Sequence, residues 1–198
     1  RADSISASSR KRCASSEETY EALARSALPL LAPGHVLDIA SGDGVLAELL
    51  APHANEYICI DASARVVNAA SERLRRFPNV QVREGDMHAL PFADHHFDLV
   101  VLMHALTYAS RPAVAVAEAA RVLRPGGRLL LSSLAKHEHR TAVEAYGHVN
   151  LGFGDKELRR FVEKAGLEIA AFETVTREKR PPHFEVISMI GVKPGAAP

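Results

Sequence analysis

DIASGDG, residues 38–44, follows the apolar run HVLDI and precedes the helical run VLAELLA. That order is strand, small-residue loop, helix, which is the opening unit of a parallel α/β sheet. The spacing Gly42-x-Gly44-x-x-Ala47 matches nucleotide-binding βα turns, where the backbone approaches a ligand closely. Yet the stretch also carries Asp38 and Asp43. A dinucleotide would set its pyrophosphate at this helix start, and two carboxylates there would oppose it. The stretch therefore asks for a ligand without phosphate and with net positive charge.

Outward from the loop, short β-branched runs alternate with helical ones. HVLDIA, EYICID, VQVREGD, FDLVVLM and GRLLLSSL read as strands. Residues 45–51, 64–76, 112–123 and 155–165 read as helices. Such alternation predicts βαβ units, a parallel sheet with helices on both faces, and a ligand beyond the carboxyl ends of the strands. The last two strands, LEIAAFETVTRE and HFEVISMIGV, are separated only by KRPP, too short for a crossover helix. They predict an antiparallel hairpin at one sheet edge. The expected fold is thus α/β: a Rossmann-like, seven-stranded, mostly parallel sheet with an antiparallel last strand.

Residues 1–16, RADSISASSRKRCASS, read as a flexible arm or linker. From Glu17, Tyr20, Leu23, Ala24, Ala27, Leu28 and Leu31 recur at helical spacing until Pro33-Gly34. One domain over 17–195 is the expectation. Lys plus Arg equals Asp plus Glu at 24 each, so no strong charge draws the chain to nucleic acid or an anionic membrane. No apolar run approaches the ~18 residues of a membrane span, and no signal-peptide pattern opens the chain. Cys13 lies in a polar tail and Cys59 in an apolar run, which argues against a structural disulfide and for a cytoplasmic setting.

Five motifs in order resemble those of class I S-adenosylmethionine-dependent methyltransferases. VLDIASGDG resembles the first, with Ala40 in place of its usual first glycine; YICIDAS, REGDMHALPF, FDLVVLMHAL and EAARVLRPGGRLLLS resemble the next four. The resemblance implies S-adenosylmethionine as cofactor and S-adenosylhomocysteine as product. It assigns cofactor binding to Asp38, Ala40, Ser41, Gly42, Asp43 and Gly44 of the loop. Asp61 and Ala62 would serve the ribose and adenine, Asp86 and Met87 the adenine edge, and Met103 and His104 the methionine part. Gly126-Gly127 would make the tight turn into strand five. The last third, AYGHVNLGFGDKELRRFVEKAGL with TREKRPPHFEVIS, resembles the methyltransferase-like domains fused behind ArsR-type repressors. The start at Arg1 and the basic, serine-rich opening fit a position behind such a DNA-binding domain.

Methyl transfer is an in-line displacement at an activated carbon, so alignment and exclusion of water matter most, and a base is needed only for a protonated acceptor. Candidates for the acceptor side are His104 and Tyr108 after strand four, with His137, His139, Tyr146 and His148 after strand five. A local structural role competes for each of them. No metal site is expected: the only grouping, His137, His139 and His148, has poor ligand spacing and no cysteine pair. His95 and His96 read as turn residues, and Arg177, Lys179 and Arg180 as a solvated hairpin turn. Two functions fit: methylation of a small molecule, or sensing of S-adenosylmethionine and S-adenosylhomocysteine within an ArsR-type regulator. A nicotinamide reductase is disfavoured by Asp38, Asp43 and the lack of a Tyr-x-x-x-Lys pair. The edge strand and the N-terminal helix leave surfaces for a homodimer.

Overall fold

The computed structural model describes residues 32–144, 146–179 and 181–195. The arm expected at 1–16, the helix expected from Glu17, and Arg180 of the basic cluster lie outside the described residues. Pro33–Pro198 forms one compact unit.

Its elements follow the sequence rhythm closely. β1 (His35–Ile39), α1 (Val45–Leu50), β2 (Glu56–Asp61), α2 (Ala64–Leu74) and β3 (Val80–Glu84) come first. β4 (Phe97–Met103), α3 (Pro112–Val122), β5 (Leu123–Leu134), α4 (Arg140–Glu144), α5 (Asp155–Lys164), β6 (Glu168–Arg177) and β7 (Glu185–Val192) complete the order. Single 3-10 turns follow α1 at Ala51–His53 and β4 at Ala105–Thr107. α4 was not foreseen: at five residues it is too short to show a helical period.

The seven strands form one sheet in the order β3-β2-β1-β4-β5-β7-β6. β1 pairs in parallel with both β2 and β4, so strand order reverses between β1 and β4. A ligand crevice opens at the carboxyl ends of the strands at such a reversal. β7 inserts between β5 and β6, antiparallel to each, so β6 is outermost and β7 alone runs against the rest. The expected hairpin is therefore present, with its second strand on the inside.

One local expectation changes. α3 passes directly into β5 at Leu123, and Gly126-Gly127 lies within the strand at a register irregularity, with Gly126 at φ 79°. The end of β7 clamps this turn: the Gly126 N–H donates to the Lys193 carbonyl and the Lys193 N–H to that of Gly127. The Lys193 ammonium donates to the carbonyls of Ala120, Arg121 and Leu123 at 2.7–3.2 Å, supplying the orphan acceptors at the end of α3.

Alternation along the strands sends side chains to two cores. Leu37, Ile39, Ile58, Val100, Leu102, Leu129 and Leu131 meet Val116 and Ala119 of α3 and Leu158 and Val162 of α5. On the opposite face Val36, Tyr57, Cys59 and Val101 meet Ala47 of α1 and Ala70 and Leu74 of α2. Each fully buried Leu or Ile contributes about 1.5–3 kcal/mol. Gly44 is fixed by this packing: it holds φ 82°, and a Cβ there would sit 2.8 Å from Leu74 Cδ1.

Candidate active site

At the β1–β4 reversal the structure forms a cavity of about 490 Å3. Its lining comes from four segments: Ala40 and Gly42 of the loop after β1, Asp61–Ser63 and Val66 at the junction of β2 with α2, Gly85–His88 after β3, and Tyr108. Of the residues expected to bind cofactor, Ala40, Gly42, Asp61, Ala62, Asp86 and Met87 line it. Asp38, Ser41, Asp43, Gly44, Met103 and His104 do not.

Asp61 ends β2, where the sheet stops and its carboxylate turns back on two loops. Oδ2 accepts from the Gly42 N–H at 3.3 Å, and Oδ1 from the Ser63 N–H at 3.0 Å. Each oxygen keeps a second lone pair for a ligand. Asp86 is held by its own loop. Oδ1 accepts from the His88 backbone N–H at 2.9 Å and meets His88 Nδ1 at 2.7 Å, and these bonds hold its carboxyl below the usual range. His88 Nε2 accepts from the Arg111 N–H at 3.3 Å. His88 thus ties the adenine-edge loop to the start of α3, a role the sequence reading missed although the residue lies two places after Asp86. Ser63, Val66 and Gly85 were missed as well, since nothing in their residue type marks a lining position.

The two acids that gave the stretch its character part company. Asp38 is buried in the pleat of β1, on the face toward α1 and α2, and its Oδ2 accepts from the Tyr57 hydroxyl at 2.9 Å. Burial pushes its pKa up to about 7; the Tyr57 bond opposes this, and the nearby Asp61 adds to it. Asp43 points away: its carboxylate pairs with Arg73 of α2 at 2.8 Å, and Glu48 shares that arginine and Arg76. Asp61 and Asp86 supply the acid that faces the cavity. Ser41 Oγ is buried with no hydrogen-bond partner, an open donor and acceptor in the loop.

The acceptor-side candidates gather at the ends of β4 and β5. His104 turns the chain after β4 at φ 55°, its N–H donating to the Ser132 carbonyl at 3.0 Å. The segment after α4 is stitched to this turn. The Val149 and Asn150 N–H groups donate to the Thr107 carbonyl, and the Asn150 side chain to those of Leu106 and Ala109. Gly152 allows the close crossing: at φ 69°, a Cβ would run into the Ala135 carbonyl. Tyr108 and His148 meet edge to face with centroids 5.2 Å apart, and Tyr146 lies 6.1 Å from His148. His137 and His139 instead stack together and flank Phe184. Burial holds His104, His137 and His148 below the usual imidazole range, reinforced in His104 by His148 and in His137 by His139 and His148.

Other expected surface residues fall where local chemistry explains them. His95 packs on the end of α3, its N–H donating to the Arg121 carbonyl, and Arg177 pairs with Glu185 at 3.4 Å across the hairpin. No helix among the described residues is long and apolar enough to cross a membrane.

Residues 37–131 match the family model described as a methyltransferase domain. The chain is 37% identical over 117 residues to the 37.1 kDa protein in transposon TN4556 of Streptomyces fradiae, covering 57% of this chain and 34% of that one. It is 36% identical over 104 residues to the demethylmenaquinone methyltransferase of Renibacterium salmoninarum, covering 52% of this chain and 43% of the relative. It thus spans less than half the length of either relative. Among solved structures it resembles the N-methyltransferase NodS of Bradyrhizobium japonicum WM9, in complex with S-adenosyl-L-homocysteine. The TM-score is 0.69 at 23% identity, over 90% of this chain and 87% of that one. Strand order, the cavity at the reversal and the match over residues 37–131 agree: this part of the chain is similar to a methyltransferase domain, and the sheet has the Rossmann-like methyltransferase fold.

Proposed function

We propose that this chain binds S-adenosylmethionine in the β1–β4 cavity and methylates a small molecule presented from residues 104–109 and 136–153. One observation carries this. Two carboxylates, Asp61 and Asp86, face a cavity that no Lys or Arg lines among the described residues. A pyrophosphate would find no cationic side chain among these lining residues, whereas a ligand of net positive charge is favoured. The residues present fit the cofactor. Asp61 would accept from the ribose hydroxyls, Asp86 Oδ2 from the adenine amino group, and Met87, Val66 and Ala62 would flank the ring. When bound, the cofactor supplies a methyl group already activated on a sulfonium. The chain's own residues align the acceptor and exclude water.

Calorimetric titration with S-adenosylmethionine, S-adenosylhomocysteine and NAD tests the proposal. Both sulfur nucleotides should bind with comparable affinity and NAD should not. Tight S-adenosylhomocysteine with S-adenosylmethionine nearly excluded would mark a sensing domain instead, and NAD binding alone would overturn the assignment.

A further inference from the structure

The loop after β3 brings two neighbouring polar side chains to the cofactor cavity, Asp86 and His88. Their exposures differ: 62% of the Asp86 side chain is open, against 10% of that of His88. Both ring nitrogens of His88 are engaged. A backbone N–H can only donate, so the contact of the Arg111 N–H with Nε2 at 3.3 Å requires that nitrogen to be unprotonated. A neutral imidazole then carries its proton on Nδ1, and Asp86 Oδ1 lies 2.7 Å from it. The start of α3 thus fixes the tautomer, and the tautomer aims its proton at Asp86.

Oδ1 also accepts from the His88 backbone N–H at 2.9 Å, so both of its lone pairs are occupied. Held at one oxygen by two bonds, the carboxylate no longer turns freely. Oδ2 takes no hydrogen bond from any described residue and is the acceptor left for a ligand. An oriented acceptor of this kind matches a ligand N–H and gains nothing from a C–H in the same place.

The loop itself does not depend on the imidazole. The Leu90 N–H donates to Glu118 of α3 at 2.8 Å, and Arg121 of the same helix donates to the Phe92 and Leu90 carbonyls at 2.8 and 3.1 Å. Nearer the cavity, the Gly85 N–H donates to the Asp61 carbonyl and the Ala89 N–H to that of Asp86, both at 3.1 Å. Loss of the ring therefore frees the Asp86 side chain while the backbone around it stays fastened.

We propose that His88 is a positioning residue that sets the base preference of the cavity: it holds Asp86 so that the remaining oxygen meets the 6-amino group of adenine, and a base without that donor is disfavoured. The inference rests on the cofactor assignment above and deepens it.

The test compares S-adenosylhomocysteine with its analogue that has purine in place of adenine, since the two differ only by the 6-amino group. Calorimetric titration of the parent chain should favour S-adenosylhomocysteine by about tenfold, the lower end for a charge-assisted bond because Asp86 is largely exposed. His88→Leu keeps much of the bulk and removes both ring bonds. Its preference should fall to about twofold or less, through weaker binding of S-adenosylhomocysteine with far less change for the analogue. His88→Asn keeps a side-chain donor near the place of Nδ1 and should hold the preference within about threefold of the parent's. A preference unchanged in His88→Leu overturns the role of His88. An equal loss for both ligands overturns it too, since that marks a support of the loop and nothing more. A preference lost as fully in His88→Asn as in His88→Leu overturns the Nδ1 donor as its source. A parent that binds S-adenosylhomocysteine but ignores the 6-amino group overturns the inference and leaves the cofactor assignment standing. A parent that binds neither ligand overturns both.

Discussion

Removing the Asp61 carboxylate is the sharpest perturbation of the cofactor cavity. Its two oxygens already accept the Gly42 and Ser63 N–H groups at 3.3 and 3.0 Å, leaving one lone pair on each for a pair of ribose hydroxyls. Asp61→Asn keeps the size but turns one oxygen into an amide NH2, which can accept from neither loop nor ligand. Asp61→Ala removes both acceptors. Charge-assisted bonds of this kind are worth about 1.5–3 kcal/mol net, so Asp61→Ala should raise the dissociation constant by about 10- to 150-fold. Asp61→Asn should fall between it and the parent. S-adenosylhomocysteine is the right titrant, since it carries the same ribose and permits no turnover. Glu84, the register partner of Asp61 on β3, is an exposed acid outside the cavity lining, and Glu84→Gln controls for a general loss of negative charge. Affinity within twofold of the parent in Asp61→Ala, or an equal loss in Glu84→Gln, would refute the assignment of Asp61 to the ribose.

Three further outcomes follow from the fold. Asp38 has a folded pKa of about 7 against an ordinary 3.8, so the native state holds its proton where the unfolded state has lost it. Stability should then fall as pH rises from about 4 to about 7, by at most about 4 kcal/mol from this group. Asp38→Asn should flatten that slope in denaturant titrations at pH 5 and pH 8, and an unchanged slope would rule Asp38 out as its source. Lys193→Met leaves three carbonyls at the end of α3 without their donor. It should cost about 1.5–3 kcal/mol, read as a lower midpoint in urea; an unchanged midpoint would mean that water replaces the ammonium. Gly152→Ala forces a side chain against the Ala135 carbonyl at positive φ and should loosen residues 146–153. Faster amide exchange confined to that segment and to the Thr107 turn is the expected signature, and exchange matching the parent would contradict it.

Much of this molecule is legible in its residues because the information is local. A strand such as EYICID announces itself by four buried apolar side chains in a row and ends on the acid that lies at the cavity, so Asp61 could be located from pattern alone. Gly42 and Gly44 declare the turn, since only glycine accepts its backbone angles without strain. The short KRPP link declares a hairpin, because no crossover helix fits in it.

What the chain order could not disclose depends on partners distant in sequence. Asp38 and Asp43 look alike as letters. One is buried under Tyr57 from the neighbouring strand and the other is neutralised by Arg73, thirty residues away on α2. The charge argument drawn from Asp38 and Asp43 therefore does not hold at the cavity, where the lining acids are Asp61 and Asp86. The contact of Tyr108 with His148 and the Lys193 cap likewise require elements separated by tens of residues in the chain. Hydrophobic periodicity and turn chemistry determined the layers and the succession of strands and helices along the chain. Only the packing of those layers decided which polar side chains are buried, which are paired and which are left free to meet a ligand, because burial and pairing are properties of neighbours in space.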